Sequence, residues 1–191
     1  MKKRIVLFML TLVVGIVPCF SQNVALKTNA LYWATATPNL GVELGVGKKH
    51  TAQLFYGLNP WKQSGGDQSS LRHWLIMPEY RYWFCEKFNG WFLGAHLMGG
   101  EFNVASVKLP FGFFEPLQDH RYEGWYAGGG ITAGYQWVLS KHWNFEASVG
   151  VGYDYIKYDK FKCETCGEKL KSSHTDYVGP TKAALSLIYV Y

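Results

Sequence analysis

Several absences narrow the classes of protein to which this chain can belong. Beyond residue 21 there is no run of 18 apolar residues, which excludes a transmembrane helix. Helix caps and 3.6-residue periodicity are scarce, which argues against a helical fold. No basic cluster is present either, because the formal net charge of +5 falls to about +2 without the three basic residues at the N-terminus. Nucleic acid is therefore not an expected partner.

The first residues have the three parts of a secretory signal peptide. Residues 2–4 are basic, residues 5–17 are apolar, and Cys19-Phe20-Ser21 offers a cleavage site. The apolar part is too short to span a membrane. We therefore predict a signal peptide over residues 1–21 and one mature domain over residues 22–191.

The stretch Trp143–Tyr155 indicates β-structure instead of helix. Every second residue is apolar or aromatic, and the residues between them are small or polar, so the stretch predicts a two-faced β-strand. The apolar face is aliphatic in the middle and aromatic at both ends. This pattern is typical of a strand whose outer face contacts lipid and whose polar face lines a lumen.

The same two-residue period recurs along the chain and predicts eight strands. Their ranges are Val24–Ala34, Leu40–Gly47, Ala52–Asn59, Arg72–Phe84, Trp91–Asn103, Tyr122–Val138, Trp143–Tyr155 and Gly179–Tyr191. Longer connections (Thr35–Asn39, Pro60–Leu71, Val104–Arg121 and Lys157–Tyr177) alternate with short ones (Gly47–His50, Cys85–Gly90 and Leu139–His142). An even strand number with alternating loop lengths predicts an all-β fold, an eight-stranded antiparallel up-and-down transmembrane β-barrel with short periplasmic turns.

Pro78 conflicts with this pattern, since it lies inside the fourth strand and a closed barrel has no edge strand. We expect a β-bulge there.

Charged residues recur on the predicted inner face. They are Lys27, Glu43, Glu79, Arg81, Glu146 and Lys182. An eight-stranded barrel is just wide enough for side chains to fill it, and buried charges must pair. These residues therefore predict a salt-bridge network that plugs the lumen. A narrow gated ion channel is the alternative.

Aromatic residues mark the ends of the predicted lipid-facing band. They are Trp74, Tyr82, Phe84, Trp125, Tyr135, Trp137, Trp143, Tyr153, Tyr155 and Tyr189. Aromatic side chains favour the membrane–water interface, so we interpret these as interface anchors. A soluble ligand-binding barrel would instead turn its apolar residues inward.

Cys163 and Cys166 form a Cys-x-x-Cys pair in the last predicted loop. A disulfide, a metal site and a pair of free thiols are all open readings. A zinc site would need further ligands, for which His174 is the nearest histidine. Apart from this zinc, no cofactor is expected.

Ser172, Ser173, His174 and Asp176 are neighbours in the same predicted loop. A nucleophile, a base and a carboxylate could support an outer-surface lipid hydrolase. Because proximity in sequence is poor evidence for a triad, this enzyme remains the alternative and we assign no catalytic residue.

The C-terminal stretch ALSLIYVY resembles the assembly signal that barrel-insertion machinery reads, through Leu185, Leu187, Tyr189 and the final Tyr191. The stretches LKTNALYWATATPNLGVELGVGKK, RYWFCEKFNGWFLG and RYEGWYAGGGITAGYQWVLSKHWNFEASVGVGYDY resemble an uncharacterised family of small outer-membrane proteins. That family comes from Gram-negative gut and oral anaerobes, is often encoded near fimbrillin genes, and has an OmpA/OmpX-type barrel.

The resemblance implies a location in the outer membrane of a Gram-negative bacterium. The implied partners are outer-membrane lipid, the insertion machinery, and surface appendage or host components, and the implied state is a monomer. The implied role is structural or adhesive and is carried out by the outside loops.

Overall fold

The computed structural model describes residues 24–61, 70–105, 121–161 and 169–191. They form eight strands and one short helix. The elements are β1 (Val24–Asn29), α1 (Ala30–Ala34), β2 (Asn39–Gly45), β3 (His50–Asn59), β4 (Ser70–Trp83), β5 (Gly90–Ala105), β6 (Arg121–Val138), β7 (Trp143–Phe161) and β8 (Lys169–Val190).

The sheet is antiparallel throughout and closes on itself. Each strand pairs with the next along the chain, and β1 also pairs with β8, so that the strands form one closed barrel. The predicted all-β fold with eight antiparallel up-and-down strands is therefore confirmed. We call the end with the short connections 46–49, 84–89 and 139–142 the turn end, and the opposite end the loop end.

The two faces of the strands differ in polarity, as the alternation predicts. On β7, Asn144, Glu146 and Ser148 are buried inside the barrel, while Val149 and Val151 are exposed on the outside. The parity continues across the sheet because every antiparallel pair keeps inward residues opposite inward residues.

The first strand is shorter than predicted. It ends at Asn29, whose side chain accepts a hydrogen bond from the Leu31 N–H and so caps the five-residue helix α1. A strand continuing to Ala34 would place Tyr32 on the outer face, in step with Val24 and Leu26. Tyr32 instead packs against the inward Phe55, with ring centroids 5.5 Å apart. None of the described helices has the length and apolar character needed to cross a membrane.

The expected bulge at Pro78 is wrong. The β4–β5 register is the same before it, at Ile76–Gly99, and after it, at Glu79–His96. Pro78 still pairs with Leu54 of β3, so the strand absorbs the missing N–H without shifting. Two register shifts lie instead on the β7–β8 ladder. One is between Gly150 and Val151, where Thr181 is the extra residue between Pro180 and Lys182, and the other is between Lys160 and Phe161.

The last predicted loop is also shorter than expected. Residues 157–161 extend β7 and residues 169–177 extend β8, so much of Lys157–Tyr177 is strand. Its polar side chains find cross-strand partners: the Tyr153 hydroxyl donates to Asp176 Oδ1 at 2.5 Å. Polar composition therefore did not distinguish a loop from a strand that is paired on its outer face.

The interior of the barrel contains two apolar clusters at different levels along its axis. Towards the turn end lie Ala25, Trp83, Phe88, Phe92 and Ile188. Towards the loop end lie Phe55, Leu75 and Met77, with Tyr32, Met98 and Tyr126 packed against them. The charged residues of the lumen occupy the layer between these clusters.

Candidate functional site: the lumen ion-pair network

The six charged residues predicted to face inward meet in one layer of the barrel. Lys27 comes from β1, Glu43 from β2, Glu79 and Arg81 from β4, Glu146 from β7 and Lys182 from β8. Residues distant in sequence meet because strand parity turns each of them inward and barrel closure brings β1, β2, β4, β7 and β8 to the same lumen.

Arg81 is the centre of this network. It is fully buried, and its two terminal nitrogens contact three glutamates. Nη1 donates to Glu146 Oε2 at 2.8 Å and Glu43 Oε2 at 3.2 Å, while Nη2 donates to Glu146 Oε1 and Glu79 Oε2, both at 3.1 Å. The planar guanidinium fork suits this arrangement, because two parallel bonds to Glu146 fix its orientation.

Two lysines complete the charge balance. Lys27 Nζ lies 2.5 Å from Glu43 Oε2 and 2.9 Å from Glu146 Oε2. Lys182 Nζ lies 2.5 Å from Glu79 Oε2. The layer therefore joins three positive groups to three negative groups, and its formal charges cancel. Such balance offsets the desolvation cost of burying ions.

Neutral side chains add hydrogen bonds to the same three carboxylates. Thr51 Oγ1 donates to Glu43 Oε1 at 2.5 Å, Gln53 Nε2 to Glu79 Oε2 at 3.3 Å, and Ser148 Oγ to Glu146 Oε1 at 3.1 Å. None of these three residues was predicted to belong to the site. Their inward parity on β3 and β7 was visible in the sequence and could have identified them.

The network is packed against the apolar cluster at the turn end. The Arg81 guanidinium lies over the Phe92 ring, 4.3 Å from its centroid, and Phe92 packs on Trp83. Trp83 Nε1 in turn donates to Thr51 Oγ1 at 2.9 Å. The cavity left beside the ions measures about 20 Å³, which is room for roughly one water molecule. The ion-pair layer therefore leaves little free space in the lumen at this height.

The buried His96 supports the network from β5. Hydrogen bonds join its Nδ1 to Thr132 Oγ1 at 2.8 Å and its Nε2 to Thr181 Oγ1 at 2.9 Å. Thr181 is the extra residue of the β8 bulge, directly before Lys182. His96 thus holds the bulge in the position from which Lys182 reaches Glu79.

The predicted interface aromatics lie on the outer face in two groups. Tyr82, Phe84, Tyr135, Trp137, Trp143 and Tyr189 lie near the turn end, and Trp74, Trp125, Tyr153 and Tyr155 lie nearer the loop end. Within the groups the rings touch, with centroids 4.8 Å apart for Tyr135 and Trp137 and 5.7 Å apart for Trp125 and Tyr155. Exposed aliphatic side chains such as Leu97, Ile131 and Val149 lie between the groups.

The predicted assembly signal lies on the outer face of the last strand. Leu185, Leu187 and Tyr191 are exposed, and Tyr189 packs between Trp143 and Tyr191. The same strand forms the closing pair with β1.

The candidate hydrolase residues are in strand β8, and the structure gives them other partners. Ser172 Oγ donates to Asp159 Oδ1 at 2.6 Å. His174 stacks on Tyr155 at 5.7 Å, and Asp176 accepts from Tyr153. Each of these three side chains therefore has a partner on β7.

Cys163 and Cys166 lie outside the described residues, so their disulfide, metal or thiol state stays a prediction. Cys85 is exposed in a turn at the turn end. Within residues 24–61, 70–105, 121–161 and 169–191, no group of three or more His, Cys, Asp or Glu side chains could hold a metal ion.

Comparison with known proteins gives a family but no function. The family described as "Protein of unknown function (DUF3575)" matches residues 5–191, which include all eight strands. No curated protein matches the chain.

Proposed function

The chain belongs to the uncharacterised family DUF3575, and from its two-faced strands we propose that it is an integral β-barrel of the outer membrane of a Gram-negative bacterium. In this proposal the ion-pair network holds the barrel shut from within. The outer face contacts lipid, and the loop end faces the outside of the cell.

The observation that carries the proposal is the inverted polarity of the barrel. Leu97, Ile131 and Val149 are each 66% exposed on the outside, whereas Arg81 and Glu43 are 0% exposed in the lumen. Contiguous exposed apolar patches on soluble monomers rarely exceed a few hundred Å². A surface of this kind is favourable in lipid and unfavourable in water.

Closure of the sheet supports the same proposal. In a bilayer each unpaired backbone group costs several kcal/mol, so a spanning sheet must have no open edge. The pairing of β1 with β8 meets that requirement at the turn end of the barrel. The two groups of outer aromatics fit the interface girdles of such barrels.

We further propose that the work of the protein is structural or adhesive and is done at the loop end. Loops on a rigid scaffold commonly carry binding functions. The connections 62–69, 106–120 and 162–168 lie outside the described residues, and a link to surface appendages or host components rests on the resemblance alone.

Introducing a charge on the outer face tests membrane insertion. Val149→Lys places an ammonium in the aliphatic band between the two aromatic groups. In a lipid-inserted barrel we expect it to lower the free energy of unfolding by about 2–4 kcal/mol, as a lysine near the bilayer midplane does. The measurement is urea unfolding of protein refolded into lipid vesicles.

Val178→Lys is the matched control. Val178 is 80% exposed on β8 but lies opposite Tyr153, at the loop-end aromatic group. Its replacement should cost roughly 0–1 kcal/mol, because charges near the interface are tolerated. Equal small costs for the two lysines would show that the outer face lies in water, and would overturn the proposal.

A further inference from the structure

The turn end contains an open cavity that the proposed membrane role does not explain. It measures about 720 Å³, a size typical of small-ligand sites. Residues of all three short connections line it. The lining includes Lys48, Lys49, Glu86, Lys87, Phe88, Lys141 and His142, together with Val138 and Tyr191.

This cavity is basic. Four lysines line it against a single acidic side chain, Glu86, and they still outnumber the negative groups if a terminal carboxylate at Tyr191 is counted. Lys49 Nζ donates to the Phe84 carbonyl at 2.9 Å, which uses one of its three N–H groups. Lys48 and Lys141 are exposed at the rim. The arrangement favours an anionic ligand.

The cavity at the opposite end of the barrel has a lining of the other sign. This open cavity of about 610 Å³ is lined by Glu101, Glu123 and Asp159, with Arg72 as the basic side chain among the described residues that line it. The basic lining is therefore specific to the turn-end cavity and is not shared by the cavity at the loop end.

Apolar side chains lie beside the basic cavity on both faces of the barrel wall. Val138 lines the cavity, on the inner face opposite Asn144, and is exposed, while Trp137 and Trp143 are exposed on the outer face of the same two strands. A free inorganic anion would gain no binding energy from these apolar side chains. An amphiphile would place its phosphate among the lysines and its acyl chains along the aromatic outer face.

We propose that the turn-end cavity binds the phosphate-bearing headgroup of an anionic lipid in the leaflet that the turn end faces. The inference rests on the proposed membrane insertion. Each lysine close to an anionic lipid surface contributes roughly fivefold to affinity, so the cluster would select anionic over zwitterionic lipid.

The test uses the full-length mature protein, refolded in detergent and exposed to phosphatidylglycerol or phosphatidylcholine. Native mass spectrometry counts the lipid that each protein retains. We expect the wild-type protein to retain phosphatidylglycerol preferentially, and the variant K48Q/K141Q to bind it on the order of tenfold or more weakly. K48R/K141R, which keeps both charges, should restore retention.

K157Q/K160Q removes the same number of charges from the loop end and should leave retention unchanged. Equal retention by wild type and K48Q/K141Q would overturn the inference, and so would an equal loss in K157Q/K160Q. Displacement of the lipid by the same concentration of inorganic phosphate would show a plain anion site and would also overturn it. Each protein is first checked for insertion into vesicles. A failure to insert refutes the proposed membrane role, whereas insertion without lipid preference refutes this inference alone.

Discussion

Arg81 illustrates a general property of buried ion pairs. Removing one partner destabilises the fold, although the intact pair contributes little net free energy of folding. The Arg81 guanidinium contacts Glu43, Glu79 and Glu146 and lies on the ring of Phe92. Removing it would leave three carboxylates with only Lys27 and Lys182 to balance them. The cost of such a change comes from the uncompensated charge that remains.

We predict that Arg81→Met lowers the free energy of unfolding by about 3–5 kcal/mol, the usual cost of breaking a buried ion pair. The measurement is urea unfolding of the refolded barrel. Arg121→Met is the control, because the Arg121–Glu123 pair is exposed and such pairs contribute roughly 0–1 kcal/mol.

A second variant separates lost charge balance from lost packing. Arg81→Met with Glu146→Gln removes one charge of each sign, and we expect it to cost less than the sum of the two single changes. A strictly additive cost, or an Arg81→Met cost no larger than that of Arg121→Met, would contradict the role assigned to the network.

At this scale, strand parity predicted which charged residues face inward, because successive side chains alternate between the faces of a strand. It could not predict their partners. Pairing between Lys182 and Glu79 depends on the bulge at Thr181 and on His96. Strand parity tells which face a residue lies on, but it does not tell the position of that residue along the barrel axis. The apolar layers around Trp83 and Phe55 were missed for the same reason.

Among the elements, the junction of β1, α1 and β8 depends on one asparagine. Asn29 Oδ1 accepts from the N–H groups of Leu31 and Leu185, and Asn29 Nδ2 donates to the Ala183 carbonyl, each at 3.1 Å. These bonds take over where the β1–β8 backbone ladder ends at Asn29 and Ser186. The side chain thus caps the helix and anchors it to the last strand.

We predict that Asn29→Ala lowers the free energy of unfolding by about 1–3 kcal/mol, because it leaves buried backbone groups without partners. Hydrogen exchange at Leu31 and Leu185 should accelerate. Thr35→Ala, which removes an exposed hydroxyl after the same helix, should change stability by less than about 1 kcal/mol. Unchanged exchange at both amides would show that Asn29 does not anchor the helix.

The number, order and antiparallel pairing of the strands could be predicted, because a two-residue period is strong over long stretches. Their ends could not. The Asn29 cap ended β1 early, and the cross-strand pairs of Tyr153 with Asp176 and of Tyr155 with His174 kept a polar segment in the sheet. The second outcome depends on contacts between residues distant in sequence, whereas the first combines the local Asn29–Leu31 cap with bonds from Asn29 to Ala183 and Leu185.

At the scale of the whole molecule, the central claim is that the barrel is suited to a bilayer. Its outer face is apolar, and the charges of its interior are neutralised in an ion-pair plug. The charged groups of the lumen pair with one another, and under the proposed membrane role the apolar exterior contacts lipid. The polarity of the two faces was readable from the sequence. The basic lining of the turn-end cavity became visible only when the topology brought the three lysine-bearing turns together.

The most direct test is the electrophoretic mobility of the detergent-extracted membrane fraction, with and without boiling. A closed barrel that resists SDS should run at a different apparent mass when it is not boiled, and boiling should convert it to the mobility of the unfolded chain. A protein found in the soluble fraction, whose mobility boiling leaves unchanged, would contradict the assignment of the outer face to lipid.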